Sequence, residues 1–184
     1  MAITDPLALQ VLAIAKEAGD KIMDIYDRDF AIYEKQDTSP LTEADLAAHK
    51  SIVAGLEAIS ELPILSEESA DISWDERKTW DKYWLVDPLD GTKEFIKKNG
   101  EFTVNIAHVR NGIPEMGAVH VPVSGVTYLG KKGLGAWRVD RDDFTEEIHS
   151  RKIDTHSRPL KVLASRSHRN DSLDNLIQWL GKSF

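Results

Sequence analysis

The sequence predicts an α/β protein in which two N-terminal helices pack on an antiparallel sheet, followed by an incomplete second α/β domain. Three observations support this: helical spacing of apolar residues between residues 6 and 60, then short strands with close turns, then a lone strand and helix near the end. We expect the first domain over residues 1–140 and the start of the second over residues 141–184.

Both N-terminal helices begin at capping residues. Asp5 precedes Pro6, which is typical of an N-cap followed by the first helical position, and an apolar stripe then continues to Tyr26. Thr42 is followed three residues later by Asp45, which resembles a capping box. We expect this second helix to end near Ser60, and residues 30–41 to form a polar loop.

Short apolar or alternating runs between turn residues predict the strands of an antiparallel meander. They are residues 63–66, Tyr83–Val86, Thr103–Val109, Gly117–Val123, Val126–Leu129 and Ala136–Val139. Residues 140–158 are predicted to form an exposed loop or a domain boundary. A strand over residues 161–164 and a helix over Asp171–Leu180 would begin the second domain.

Composition excludes several classes of protein. With 184 residues, 41% of them hydrophobic and 29% charged, the chain is typical of a globular protein rather than a collagen-like or disordered one. The net charge of −8 excludes the basic surface that binds nucleic acid polymers, and the absence of cysteine excludes disulfides and thiolate zinc sites. No signal peptide or transmembrane run is visible, which predicts a cytoplasmic protein and leaves open a peripheral place at the inner face of the membrane.

The turn after the second predicted strand carries the most informative residues. Asp87 ends an apolar run, and Pro88 and Gly91 are expected to stop the strand there, so that Asp87 and Asp90 converge. Converging carboxylates without cysteine favour a hard cation such as Mg²⁺, with the Leu89 carbonyl as a further ligand. Each part also has an inert interpretation, as a turn or a solvated acid, and Glu67 and Glu68 could supply additional ligands or form only a solvated pair.

Longer motifs resemble a known family. The run Asp87-Pro-Leu-Asp-Gly-Thr92, preceded by Ser66-Glu-Glu68, resembles the signature of the inositol monophosphatase superfamily of metal-dependent, lithium-sensitive phosphatases. The stretch from Trp84 to His108 is similar to the bacterial 3′(2′),5′-bisphosphate nucleotidase branch, as are residues 39–45 and 165–168. The resemblance implies a layered, sugar-phosphatase-like α+β fold.

The resemblance also implies a reaction: Mg²⁺-dependent hydrolysis of the 3′-phosphate of adenosine 3′,5′-bisphosphate to AMP and phosphate, which clears a by-product of sulfur assimilation. Two or more Mg²⁺ ions would activate the attacking water in a complete enzyme. The expected metal ligands are Glu67, Asp87, the Leu89 carbonyl and Asp90, and the expected catalytic residues are Asp45 and Thr92. The expected substrate-binding residues are Glu67, Leu89, Asp90, Gly91 and Thr92.

The family pattern continues past residue 184 to a Trp-Asp motif that supplies another metal ligand, whereas here Trp179 is followed by Leu180. We expect the sequence to be a fragment of a longer protein. The alternatives are a naturally shortened chain, or a second chain that supplies the missing parts. Two other functions stay open: a phosphatase of another small phosphate ester, and a non-catalytic remnant that only binds metal or nucleotide.

Overall fold

The structure is a computed structural model that describes residues 2–34, 40–69, 72–150 and 170–183. The chain divides into two compact units, Met1–His149 and Ser150–Phe184. The strand predicted over residues 161–164 and the motif at residues 165–168 lie outside the described residues. The domain boundary near residue 140 stays a prediction.

Five helices and nine strands form within the described ranges. The helices are α1 (Pro6–Tyr26), α2 (Glu43–Ile59), α3 (Trp74–Arg77), α4 (Thr92–Ile96) and α5 (Asp171–Ser183). The strands are β1 (Ile32–Glu34), β2 (Pro40–Thr42), β3 (Ile64–Ser66), β4 (Lys82–Asp90), β5 (Thr103–Arg110), β6 (Ile113–Val121), β7 (Val126–Lys131), β8 (Gly135–Val139) and β9 (Thr145–Glu147).

Strands β3 to β9 form one seven-stranded sheet in chain order. All neighbouring pairs from β4 to β9 are antiparallel, which confirms the predicted meander, whereas β3 runs parallel to β4. Two regions predicted as loops contain strands instead: β1 pairs with β2 in a separate two-stranded antiparallel sheet, and β9 pairs with β8. These strands are three residues long and polar or mixed, so they carry too little alternation to be detected in the sequence.

Helices α1 and α2 pack on each other and on one face of this sheet, as predicted. The Asp5 side chain accepts a hydrogen bond from Ala8 N at 2.9 Å, with Pro6 at the first helical position. The apolar stripe of α1 is buried, and Trp84 Nε1 donates to Ser60 Oγ at 2.8 Å, which joins β4 to the end of α2. None of the helices in the described ranges combines the length and apolar character that a membrane crossing needs.

An aromatic cluster fills the core beneath α4. Phe95 and Phe102 are 0% and 1% exposed, and their rings lie 5.3 Å apart in an edge-to-face arrangement. The centre of the Tyr26 ring, in α1, lies 5.2 Å from the centre of the Phe95 ring and 5.0 Å from that of Phe102. Burial of each phenylalanine stabilises the fold by roughly 1.5–3 kcal/mol. The cluster therefore anchors the short helix that follows the acidic turn.

Strand β4 is longer than predicted. The expectation that Pro88 and Gly91 stop the strand at Asp87 is wrong, because β4 continues to Asp90. The register against β5 shifts between Asp87 and Asp90, so Pro88 and Leu89 occupy a bulge. Proline is tolerated in a bulge because no ladder hydrogen bond is required of its nitrogen.

Helix α1 approaches β6 closely at a glycine. A Cβ atom on Gly19 would lie 2.4 Å from His120 Nε2, so a side chain there would collide with the imidazole. His120 is 4% exposed, and its Nδ1 lies 2.8 Å from Thr127 Oγ1. Burial, together with the positive charge of Lys16 and against that of Asp20, lowers the pKa of His120 to about 4.

This histidine makes the helix–sheet contact sensitive to acid. Its pKa is about 4 in the folded protein against 6.5 in a solvated peptide, so unfolding takes up a proton between these values. The stability due to neutral His120 is complete above pH 6.5 and is lost as the pH falls toward 4. Between pH 7 and pH 4, we expect the free energy of unfolding to fall by about 3 kcal/mol more in the unsubstituted protein than in His120→Gln.

Denaturant titrations at a series of pH values measure this difference. His149→Gln is the matched control, because it removes a histidine whose side chain is largely exposed. A His120→Gln protein that loses as much stability in acid as the unsubstituted protein would contradict the burial argument.

Candidate active site

Strand pairing brings the first acidic residue to the turn. Strand β3 runs parallel to β4, with Ser66 opposite Val86, and Glu67 N donates to Val86 O at 3.0 Å. Glu67 therefore lies beside β4 where Asp87 emerges. Ser66 is buried, and its hydroxyl lies 2.9 Å from His49 Nδ1, which ties the end of β3 to helix α2.

Asp87 lies in an environment that disfavours its charge. Burial raises its pKa to about 7, with further contributions from the charges of Glu67 and Asp90 and a hydrogen bond with Glu67. The Oδ1 atom of Asp87 is buried and has no hydrogen-bond partner within the described ranges. A buried carboxylate oxygen without a partner is costly for the fold, so this atom is suited to a bound cation.

Asp90 is exposed at the end of β4, and its side chain accepts a hydrogen bond from a residue of β5. Asn105 Nδ2 donates to Asp90 Oδ2 at 3.3 Å, and Asn105 Oδ1 accepts from Thr103 Oγ1 at 3.2 Å. Asn105 also lies directly opposite Asp87 in the register of the two strands. Sequence reasoning did not identify Asn105. Its place on the same sheet face as Asp87 follows from period-two alternation only once the register is known.

Gly91 joins β4 to α4 in a conformation that favours glycine. Its φ is +96° and its ψ 37°, which is left-handed backbone. A Cβ atom there would lie 2.8 Å from Glu101 O. The turn therefore needs glycine for both its backbone angles and its close approach to the segment before β5.

Thr92, the first residue of α4, faces Asp45 of α2. Its Oγ1 lies 3.1 Å from Asp45 Oδ1 and 3.3 Å from the Leu89 carbonyl oxygen. Since a hydroxyl carries one proton, Thr92 donates to one of these acceptors at a time, and its lone pairs stay available to accept a hydrogen bond. The Leu89 carbonyl predicted as a ligand therefore lies beside the predicted catalytic threonine.

The other oxygen of Asp45 is held by the predicted capping box, which is confirmed. Asp45 Oδ2 accepts from Thr42 N at 2.8 Å and from Thr42 Oγ1 at 2.5 Å. Asp45 is 1% exposed, and burial raises its pKa although the hydrogen bonds from Thr42 and Thr92 act in the opposite direction. Asp45 is thus a fixed carboxylate with increased proton affinity.

A cavity of about 500 Å³ opens beside the acidic residues. Glu67 and Asp87 line it together with Asn105 and Arg77, and its floor is apolar. The floor comprises Leu65, Leu85, Val86, Ile106, Ala107, Gly117, Ala118 and Val119. Glu68 lines a different cavity, with His49, Glu57 and Glu61. The structure therefore separates the two glutamates that the sequence analysis considered together.

The donor set fits a hard divalent cation. Carboxylate oxygens of Glu67, Asp87 and Asp90 and the Leu89 carbonyl are the oxygen ligands that Mg²⁺ prefers, and Asp87 Oδ1 needs a partner. In the part of the chain that the structure describes, no three acidic, histidine or cysteine side chains lie together closely enough to hold a metal ion by themselves. The charges of Glu67 and Asp90 nevertheless both raise the pKa of Asp87, so the three carboxyl groups lie in one region.

Comparison with known proteins agrees with this geometry. Residues 4–179 match the sequence model of the inositol monophosphatase family. The chain belongs to the inositol monophosphatase family. It is 46% identical over 176 residues to the 3′(2′),5′-bisphosphate nucleotidase CysQ of Salmonella typhimurium, covering 94% of this chain and 69% of that protein. The CysQ of Escherichia coli K12 is 45% identical, with the same coverage.

A solved structure supports the same family. The crystal structure of CysQ from Bacteroides thetaiotaomicron, described as a bacterial member of the inositol monophosphatase family, superposes with a TM-score of 0.76 at 38% identity. The match covers 98% of this chain and 70% of that one. The family and fold predicted from Asp87–Thr92 and Ser66–Glu68 are thereby confirmed. The individual site residues stay predictions.

The acidic cluster of this family member should reduce its stability when no metal is bound. The Asp87 carboxyl has a pKa of about 7 in the folded protein and 3.8 in a solvated peptide, so its ionisation disfavours folding as the pH rises between these values. In chelator at pH 8, we expect Asp87→Asn to raise the free energy of unfolding by on the order of 1–2 kcal/mol, after allowance for solvent around this half-buried group.

Denaturant unfolding at pH 8 and pH 4 measures the effect, which should nearly vanish at pH 4. Asp81→Asn is the matched control, because Asp81 is exposed just before β4 and its substitution removes the same charge. A stabilisation of equal size in both variants would show that net charge, rather than the cluster, is responsible.

The turn glycine gives a separate prediction. Gly91 and Gly112 both have positive φ, but a Cβ on Gly112 would meet nothing within 4 Å. We expect Gly91→Ala to lower the free energy of unfolding by about 1–3 kcal/mol more than Gly112→Ala, because only the former adds a collision. Equal losses in thermal unfolding would mean that the contact with Glu101 relaxes freely.

Proposed function

We propose that this chain carries the catalytic site of a Mg²⁺-dependent phosphatase that hydrolyses the 3′-phosphate of adenosine 3′,5′-bisphosphate to AMP and phosphate. The observation that carries the proposal is the Thr92–Asp45 hydrogen bond of 3.1 Å beside the acidic turn. It joins a polar hydroxyl to a buried base at the edge of a cation-binding cluster. Relatives named 3′(2′),5′-bisphosphate nucleotidase supply the substrate class.

Glu67, Asp87, Asp90 and the Leu89 carbonyl would hold Mg²⁺, with two or more ions in a complete enzyme. When bound, such ions neutralise the phosphate, lower the pKa of water and stabilise the leaving oxygen. Asn105 contributes by donating a hydrogen bond to Asp90 Oδ2, so that Asp90 Oδ1 would be the oxygen that contacts the cation. A cation would also satisfy Asp87 Oδ1 and remove the cost of its burial.

Asp45 and Thr92 would manage the proton of the attacking water. The Thr92 hydroxyl donates to Asp45 Oδ1, and its oxygen accepts a hydrogen bond from the water, which orients the water toward phosphorus. The water oxygen bonds to phosphorus as the bond to the 3′-oxygen breaks. One proton passes through Thr92 to Asp45, and the departing 3′-oxygen takes a proton from solvent. The raised pKa of Asp45 favours this transfer.

The start of α4 would bind the phosphate itself. Gly91 has left-handed backbone and Thr92 follows it as the first helical residue, with its hydroxyl 3.3 Å from the Leu89 carbonyl oxygen. The main-chain nitrogens of Gly91 and Thr92 would contact the phosphate. Together with Glu67, Leu89 and Asp90, they form the proposed substrate-binding set. A Cβ on Gly91 would disturb this turn, which explains why the smallest residue is required there.

Phosphate release tests the proposal. We expect release from adenosine 3′,5′-bisphosphate to require Mg²⁺ and to exceed release from inositol 1-phosphate. Asp45→Asn and Thr92→Val should each lower kcat by about 100- to 10,000-fold, because general-base catalysis contributes that much. Asp81→Asn, which removes a charge outside the site, should keep the activity of the unsubstituted protein.

Thermal unfolding supplies a check that does not depend on turnover. Mg²⁺ should raise the melting temperature of the unsubstituted protein and have little effect on Asp87→Asn. Folded protein that releases no phosphate yet is stabilised by Mg²⁺ would favour the non-catalytic remnant. Faster release from inositol 1-phosphate would favour the phosphatase of another small ester.

A further inference from the structure

Among the residues that the structure describes, one cationic side chain lines the cavity beside the acidic turn. Arg77, at the end of α3, lines it together with Glu67 and Asp87. The other described residues of the lining are acidic, polar and uncharged, or apolar. In a chain with a net charge of −8, a single arginine at this position is a distinct feature of the site.

The guanidinium of Arg77 needs an acceptor. Its Nε atom is buried and has no hydrogen-bond partner among the described residues. Asp87 Oδ1, in the same cavity lining, is also buried without a partner among those residues. Arg77 Nε therefore needs a hydrogen-bond acceptor, and Asp87 Oδ1 needs a donor or a cation. A ligand that brings an anionic group to Arg77 and a cation to Asp87 satisfies both atoms at once.

Helix α3 holds Arg77 in place. Ser73 caps the helix by accepting from Glu76 N at 3.2 Å, and Arg77 N donates to Ser73 O at 3.0 Å. The guanidinium carbon lies 6.0 Å from the centre of the Trp74 ring. The neighbouring cation Lys78 is exposed and paired with Asp75 at 2.5 Å. Arg77 is thus oriented by its helix, whereas Lys78 forms an ion pair at the surface and does not line the cavity.

We propose that Arg77 binds the second phosphate of the substrate, the one that is not hydrolysed. This inference rests on the proposed function. The hydrolysed phosphate belongs at Gly91 and Thr92, whereas Arg77 precedes β4 and lines the cavity whose floor includes Leu85, Ala107 and Val119. Such a floor suits the nucleoside between the two phosphates. Arginine forms paired hydrogen bonds with phosphate oxygens, and such a pair at Arg77 would favour bisphosphates over monophosphates.

Substrate comparison tests the assignment. In Arg77→Gln we expect KM for adenosine 3′,5′-bisphosphate to rise about 10- to 100-fold, because a hydrogen-bonded charge pair is lost, with kcat within about threefold. KM for adenosine 3′-monophosphate, which lacks the second phosphate, should change by less than about twofold. Arg77→Lys keeps the charge without the paired geometry and should give an intermediate KM.

A binding measurement separates this inference from the proposed function. Calorimetric titration with adenosine 5′-monophosphate, which keeps only the second phosphate, should show about 10- to 100-fold weaker binding to Arg77→Gln, whereas adenosine should bind both proteins equally. Should Arg77→Gln fail to fold, Arg77→Lys should still bind adenosine 5′-monophosphate several-fold more weakly than the unsubstituted protein. This titration measures the contribution of Arg77 to phosphate binding even if the chain releases no phosphate.

Arg110→Gln is the matched control, because it removes the same charge from a residue outside the cavity lining, where Arg110 Nε donates to Glu115 Oε2 at 2.8 Å. It should leave all these constants unchanged. Equal increases in KM for the bisphosphate and the 3′-monophosphate, or unchanged affinity for adenosine 5′-monophosphate in Arg77→Gln, would overturn the assignment. Equal effects of Arg110→Gln and Arg77→Gln would also overturn it, since they would indicate net charge alone.

Discussion

The buried carboxylate of Asp45 is the interaction on which the site depends. One of its oxygens accepts two hydrogen bonds from Thr42 and so begins helix α2, while the other accepts from Thr92, 47 positions later in the chain. The same side chain therefore fixes where α2 starts and how α2 meets the turn after β4. Because Asp45 is 1% exposed, loss of either partner would leave a buried charge underpaired. Structure and proposed chemistry thus share one residue.

The carboxylates of the acidic turn lower the stability of the fold. Asp87 is partly buried beside Glu67 and Asp90, and the cost appears as a pKa raised to about 7. The aromatic core supports the turn from below: Phe95 in α4 and Phe102 before β5 pack against Tyr26. A well-packed core on one side lets like charges stay close together on the other. This arrangement is typical of sites that bind a cation, since the ligand removes the repulsion that the fold tolerates.

Charge distribution reconciles an acidic chain with an anionic substrate class. Membership in the inositol monophosphatase family, shown by the match over residues 4–179, implies phosphate esters as ligands. A chain with net charge −8 would repel them without local positive charge. Cations at Glu67 and Asp87 and the guanidinium of Arg77 would provide it at two places along one cavity. Selectivity would then depend on the spacing between these two places, rather than on the overall charge.

Local signals in the sequence determined much of this protein. The Asp5 cap, the Thr42–Asp45 capping box, the strand meander and the run Asp87–Thr92 depend on residues a few positions apart, and so they were predicted along with the family. Tertiary structure alone decided the parallel pairing of β3 with β4, the bulge that extends β4 to Asp90, and the contacts of Asn105 and Arg77. These features depend on strand register and on packing between distant segments. Periodicity shows which face a residue occupies, but not which distant residue lies opposite it.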